Sequence, residues 1–444
     1  MALAAFLFHD DSCTQFLLRF VAPMPYLPDP ITLPRRRFLT LAGGSCLTVL
    51  LSNCASQTSQ KPAATAFDPR QATWDEILAA AKGSTVNWAM WGGSDSTNKF
   101  ADQWVGEQLK GYGVTLNRVP LGDTVEAVNK VVGEVQAGQT KGSIDLIWIN
   151  GENFRTLKQG NLLYGPFTDK LPAMQHYDLS NPAVLTDFGL PIDGYEAPYT
   201  GSYYVMAADS AKVTQQPQNF TELLDWAKAN PGRFAYVAPP EFDGNRFLLT
   251  VLYGVGGGYE QYAGAEFNEE LWNQNAPKVT AYLKELEPFL WREGQTYPPT
   301  QARLQELFAN GEIWMMPVFI SKVAEGLAGD MFPKTTRAFT LPQLSLNDPS
   351  FTAIPINASN PAGGMILANI LASPEGQLQK FQPAVWGDPP LLDVQKLSPE
   401  MQQKFAQVEA SYGLPLKELI SNTVPVVNAE YTARLRKLWA DEVA

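Results

Sequence analysis

The chain is poor in the residues that most enzymes use for chemistry. Its three cysteines, Cys13, Cys46 and Cys54, all fall within the first 54 of 444 residues. The long remainder therefore has no disulfide, no thiolate nucleophile and no cysteine-ligated zinc. Histidine is scarcer still, with His9 near the start and His176 alone in Gln175-His176-Tyr177. A single loop histidine excludes His-rich metal centres and leaves one residue for any Ser-His triad. There is no P-loop, no strand-linked GxGxxG and no GxSxG; Gly254-Val255-Gly256-Gly257-Gly258 is a glycine-rich turn without the dinucleotide fingerprint. Positive charge is short as well, with 33 Lys+Arg against 45 Asp+Glu and a formal net charge of −12. Phosphate backbones need clustered Lys and Arg, so nucleic acid is a poor partner and a cation is an easier ligand. No apolar run reaches the roughly 20 residues that cross a bilayer. No internal repeat suggests a solenoid.

What the sequence does have begins with a basic, then apolar, N-terminal segment. Arg35-Arg36-Arg37-Phe38-Leu39 precedes an apolar run from Leu41 to Leu51 that ends in Leu51-Ser52-Asn53-Cys54. This is the order of a signal peptide, and it predicts export to the periplasm or another extracytoplasmic site. The arginines resemble a twin-arginine signal, with Pro34 where Ser or Thr is usual. Leu-Ser-Asn-Cys resembles a lipobox, with Asn53 in place of Gly or Ala, and implies lipidation of Cys54. Residues 1–53 are assigned to the signal, which could start at Met24. Four arginines against three aspartates in that segment leave −13 on the 391 residues that follow. Residues 54–73, small and polar with Pro62 and Pro69, read as a tether.

A body of this length suits two lobes better than one core. Periodicity predicts a strand at 85–91, a helix at 94–110, a strand at 114–119, a helix at 124–136, a strand at 145–149 and a helix at 151–159. That alternation is the signature of a parallel sheet with helices on both faces. A crossing strand at 202–208 changes lobe, followed by a helix at 221–229 capped by Asn219 or Thr221 and a buried strand at 234–238. Helices are expected at 268–289, interrupted by Pro277, and at 301–310, with a strand at 312–318. A second crossing at 339–344 returns the chain to a strand at 351–356 and a helix at 362–371. Helices at 399–412 and 429–443 close the chain. Lobe 1 is expected at 74–200 plus about 343–383, and lobe 2 at about 201–342 plus 384–444.

Four segments carry a resemblance over essentially the whole body: Val86-Asn87-Trp88-Ala89-Met90-Trp91-Gly92-Gly93, Asp145 to Gln159 around Ile149-Asn150-Gly151-Glu152-Asn153-Phe154, Gly194-Tyr195-Glu196-Ala197-Pro198, and Pro383-Ala384-Val385-Trp386-Gly387-Asp388. Together they resemble the extracellular solute-binding proteins of ABC importers, most closely the YnjB-like subgroup. The resemblance implies an α/β, two-lobed periplasmic-binding-protein fold of type II kind, with two or three crossing hinge strands that let the lobes close over a ligand. It implies a monomer that hands a small molecule to ABC permease and ATPase subunits, with no cofactor, no metal site and membrane contact through the lipid anchor. Met316-Pro317-Val318-Phe319-Ile320 departs from the family, which more often has a polar or Tyr-Asn pair there.

The residues point to the same cleft on their own. In open α/β sheets ligands lie beyond the carboxyl ends of the strands, here Trp91-Gly92-Gly93-Ser94 and Asn150-Gly151-Glu152-Asn153. Glycines allow close backbone approach, Asn150, Glu152 and Asn153 offer a polar grip, and Trp91 offers a flat wall. Tight-turn chemistry explains Gly92 and Gly93 equally well, and helix capping explains the asparagines. Trp88 and Trp148 read as core. Across the cleft stand Glu196 and Tyr199 by the crossing, and Asp243, Asn245 and Arg246 in a strand-to-helix loop where Asp243 could simply be a cap. Trp386 either lines the cleft or packs a loop.

Aromatics beside Glu152, Glu196 and Asp243 suit an organic cation, thiamine-like or polyamine-like. Arg246 would favour a carboxylate or phosphate on the ligand. A sugar-binding lipoprotein uses the same residue types. Ferric iron fits less well, because the adjacent Tyr203 and Tyr204 would point to opposite faces of a strand. The enzymatic alternative is a periplasmic glycoside hydrolase with Glu152 and Asp243 as acid and base.

Overall fold

The structure is a computed structural model that describes residues 67–444 apart from Ala265. The signal sequence, the twin-arginine and lipobox motifs and Cys54 lie outside the described residues. Thirteen strands occur among them: β1 Thr85–Trp91, β2 Thr115–Leu121, β3 Leu146–Ile149, β4 Leu163–Tyr164, β5 Thr186–Asp187, β6 Leu190–Pro191, β7 Glu196–Thr200, β8 Tyr203–Asp209, β9 Met315–Phe319, β10 Thr336–Phe339, β11 Ser345–Asn347, β12 Ser350–Pro355 and β13 Thr423–Pro425. They form two sheets and one small hairpin, β5 with β6.

The first sheet runs β2-β1-β3-β12-β4, with β7 also on β12. Strands β1, β2 and β3 are parallel, and β12 is antiparallel to β3 and β7. Alternation along β1 sends Val86, Trp88 and Met90 into one apolar cluster with helix Pro361–Ala372, and Ala89 into another with helix Thr124–Gln136. The sheet is therefore covered on both faces, as a parallel sheet requires. The second sheet runs β10-β8-β11-β13 with β9 on β8. Along β8, Tyr204, Met206 and Ala208 face one core cluster while Tyr203, Val205 and Ala207 face the other. The adjacent tyrosines thus point apart, as the strand period demands.

Three short segments join the two lobes side by side. β7 passes to β8 through Gly201-Ser202, β11 passes to β12 through Asp348-Pro349, and the third crossing runs through Asp388-Pro389. Asp348 N–H donates to Ser202 O at 2.8 Å, and Gly201 N–H donates to Pro389 O at 3.2 Å. The backbone itself thus ties the crossings together.

Several expectations are corrected. Residues 95–111 form one continuous helix as expected, but with a π-helical segment at Phe100–Val105 between the α-helical turns Asp95–Lys99 and Gly106–Gly111. Residues 234–238 are extended and buried, yet only Phe234 bridges to neighbours, Leu290 and Met315, so no strand forms. Pro277 sits within the continuous helix Glu269–Leu286, where burial of Trp272, Val279 and Leu283 outweighs one missing donor. The return crossing lies at 348–349 rather than 339–344, because Pro342 and Gln343, the latter at φ +60°, turn the chain back into the second sheet. The end of the expected tether is structured too. Asp68 caps Pro69–Gln71 and accepts from Tyr164 Oη at 2.6 Å, while Arg70 stacks over the Tyr164 ring.

Candidate functional site

A cavity of about 280 Å³ opens where the carboxyl ends of β1, β2 and β3 meet the crossings and the second lobe. From the first lobe come Trp91 at the end of β1, Gly122, Asp123 and Thr124 after β2, and Asn150 and Asn153 after β3. Ser202, Asp348 and Asp388 come from the crossings, and Ser350 from the start of β12. The second lobe supplies Glu241, Phe242, Asp243 and Gln301, with Phe319, Ser321 and Lys322 from the end of β9 and the helix after it. The volume lies just below the usual range for small-molecule sites, about 300–1,000 Å³.

One wall is aromatic. Trp148 lies at its centre, 6.4 Å from Trp91, 5.3 Å from Trp386 and 5.2 Å from Tyr199, mostly edge to face. Trp91, Trp148 and Trp386 line the cavity, while Tyr199 is fully buried behind them and also meets Trp88. Lys380, itself buried, sits 4.1 Å from the centre of the Tyr199 ring and donates to Tyr199 O and Leu371 O. Burial holds its ammonium well below the usual lysine range. The supporting layer is thus fixed by packing and hydrogen bonds. Gly93 lets the wall form, because a Cβ there would come within 2.3 Å of the Trp91 indole.

The rest of the lining is acidic. Asp123, Glu241, Asp243, Asp348 and Asp388 face the cavity, against Lys322 as the one lining cation, and Lys322 is engaged by Glu325 at 2.8 Å. Glu241 caps helix Phe242–Val255 by accepting from Asp243 N–H at 2.6 Å. Asp348 is ion-paired with Arg246, both 1 % exposed. Asp388 accepts from Thr200 Oγ1 at 2.8 Å. Desolvation raises all four of these carboxyls: Asp388 up to about 6, Asp243 well above the ordinary range with Glu241 adding repulsion, and Asp348 despite the opposing pull of Arg246.

Five of the eleven residues proposed from sequence line this cavity: Trp91, Asn150, Asn153, Asp243 and Trp386. Gly92 and Gly93 do not, since Gly92 continues the ladder by donating to Leu121 O at 2.9 Å and Gly93 lies beneath Trp91. Glu152 points away to Arg436 of helix Ala429–Glu442, at 3.4 Å. Glu196 is fully buried, with both carboxylate oxygens unpartnered, and burial pushes it well above the usual range. Tyr199 is one layer back, and Arg246 is sealed behind Asp348 and the rings of Phe188 and Phe242. Since only Asp243 of the Glu152/Asp243 pair reaches the cavity, the acid-base pairing expected of a glycosidase is not assembled. No side chain caps helix Glu152–Gln159, and Asp243 is not a cap but the second residue of its helix. Trp148, expected in the core, is half-buried and lines the cavity. The sequence reading missed Asp348, Asp388, Ser321, Lys322 and Gln301. Asp348 and Asp388 each precede a proline next to a crossing, which was the available signal.

Residues 103–407 match the model of the bacterial extracellular solute-binding proteins. The chain belongs to that family. The chain is also similar to Protein YnjB of Escherichia coli strain K12, 38% identical over 344 residues that cover 77% of this chain and 88% of that protein. Solved structures share the two-lobed fold. The spermidine/putrescine ABC transporter substrate-binding protein PotD from Streptococcus pneumoniae superposes with a TM-score of 0.57 at 14% identity, covering 81% of this chain and 98% of that one. The periplasmic binding protein AfuA from Actinobacillus pleuropneumoniae, with fructose-6-phosphate bound, gives 0.57 at 12% identity over the same shares. Among the described residues no helix is long and apolar enough to cross a membrane, and no group of three or more His, Cys, Asp or Glu could hold a metal ion.

Proposed function

We propose that this chain is the substrate-binding component of an ABC importer and captures a small organic cation in the inter-lobe cavity by hinge closure. The observation that carries the ligand class is the lining: five carboxylates against one paired lysine, beside three tryptophans. A cation over an indole face gains about 0.5–2 kcal/mol, and a nearby carboxylate neutralises it. The sizes agree, since 280 Å³ suits a thiamine-like or polyamine-like compound rather than an oligomer. A sugar phosphate, as in AfuA, would meet an acidic lining whose single lysine is already engaged. Anchoring through Cys54 and export by the twin-arginine route complete the reading as proposals of their own.

The test is a thermal-shift panel of thiamine and its phosphates, putrescine, spermidine, choline, glucose and fructose 6-phosphate. A ligand at 100 times its Kd stabilises the fold by about 2.7 kcal/mol. Stabilisation by one or more cations, and not by the sugars, is the expected result. A shift with glucose or fructose 6-phosphate alone would overturn the cation reading.

A further inference from the structure

Two carboxylates that line the cavity are left incomplete. Asp243 is 6% exposed and its Oδ1 has no hydrogen-bond partner. Asp348 is 1% exposed; its Oδ2 accepts from Arg246 Nε while its Oδ1 has no partner. Both residues line the cavity, one from the second lobe and one from a crossing. A buried acceptor left open costs stability, and native proteins fill such sites unless a ligand will. Arg246 offsets only part of the cluster's charge, and its own buried Nη2 also lacks a partner. Its guanidinium is sandwiched between the rings of Phe242 and Phe188 at 4.0 and 4.6 Å, and it supplies one positive charge to the three carboxylates Glu241, Asp243 and Asp348.

Building on the organic-cation reading above, we propose that Asp243 and Asp348 form a subsite for an N–H-bearing cationic group: a primary or secondary ammonium, an amidinium or a guanidinium. Such a group donates to both open oxygens and carries the charge that offsets them. A quaternary ammonium has no N–H and would leave both acceptors open. The rest of the ligand then extends to the Trp148 and Trp386 wall, which takes a flat or apolar body. The substrate is thereby narrowed from cations in general to hydrogen-bonding amines with a second, apolar or planar part.

The experiment is calorimetric titration of the protein with matched pairs: tryptamine, spermidine and agmatine, each against its permethylated, quaternised derivative. The expected result is that N–H members bind at least about tenfold tighter than their permethylated counterparts, the size of one charged hydrogen bond. That preference should collapse in Asp243→Asn, and in Asp348→Asn as a second variant, with unfolding midpoints confirming that each variant is folded. Equal affinity within the pairs would leave the cation reading standing and overturn the subsite, as would a preference that survives both substitutions. Binding of glucose or fructose 6-phosphate with no binding of any amine would overturn the parent reading and the subsite together. Should one variant fail to fold, the other and the wild-type pairs still decide.

Discussion

Asp388 sits on the third crossing, 4% exposed, with its carboxyl held by Thr200 Oγ1 and raised by burial to about 6. A carboxyl raised from 3.8 binds more protons in the folded than in the unfolded state between these two values. Its contribution to folding is fully present below pH 4 and is lost as pH rises through 6, a difference of about 3 kcal/mol. Binding runs the other way, since a cation in the cavity favours the ionised form. Affinity for a cationic ligand should therefore fall as pH drops from 7 to 5, with proton release on binding near pH 6. Asp388→Asn keeps an acceptor for Thr200 but removes the charge. It should raise the melting temperature of the unliganded protein at pH 7.5, weaken cation binding and flatten its pH dependence. Calorimetry at pH 5, 6 and 7.5 measures all three, and an unchanged pH slope in the variant would assign the titration elsewhere. At this scale the sequence was readable where side-chain chemistry and element position coincide, as for Trp91 and Asn150. It was misleading where burial depended on distant chain. Glu196 lies beside the crossing as expected, yet β7 is buried along its whole length, so its carboxylate never meets the cavity.

Gly151 links the cavity floor to the helix that presents Asn153. It holds φ +60°, ψ −124° as the cap of Glu152–Gln159, its N–H donates to Asp187 Oδ2 at 2.6 Å, and a Cβ there would come within 2.3 Å of the Phe188 ring. Gly151→Ala should destabilise the protein by about 1–3 kcal/mol through the left-handed backbone and the displaced ring. It should also weaken ligand binding by shifting Asn150 and Asn153. Urea denaturation checks the first effect, and a midpoint equal to wild type would mean that Phe188 yields without cost. Most elements were legible because period and caps agreed: helix Thr124–Gln136 starts at a capping box of Asp123 with Glu126, and its apolar stripe was visible in the valines. Residues 234–238 were misread because an apolar run looks like a strand whether or not a neighbouring strand is present to pair with it, and pairing is a property of the tertiary fold. The crossing at 339–344 was misplaced for another reason, the turn at Pro342 and Gln343 that keeps the chain in the second sheet until 348–349.

Across the whole molecule, polar contacts join the lobes on both sides of the cavity. On one side Ser96 Oγ donates to Glu325 Oε1 at 3.0 Å, and Glu325 also holds Lys322. On the other side Arg436 meets Glu152 at 3.4 Å, and Arg155 donates to Asn428 Oδ1 at 3.2 Å. The helices bearing Ser96, Glu152 and Arg155 flank the first sheet, and those bearing Glu325 and Arg436 flank the second. The same contacts explain why Glu152 looked like a ligand residue: it lies at the cleft edge but faces the opposite lobe. Half-exposed pairs of this kind are worth about 0.2–1 kcal/mol each. They cannot hold the fold, yet together they can bias an open-closed equilibrium whose states differ by a few kcal/mol. The double variant Glu325→Ala/Arg436→Ala should leave the melting temperature of the unliganded protein nearly unchanged and raise its radius of gyration in solution scattering. Ligand affinity should fall by about three- to thirtyfold, mostly through faster dissociation, because the closed form that retains the ligand is the one the contacts stabilise. Unchanged scattering and an unchanged dissociation rate would mean that the lobes are held by the three crossings alone, with the rim contacts contributing nothing to closure.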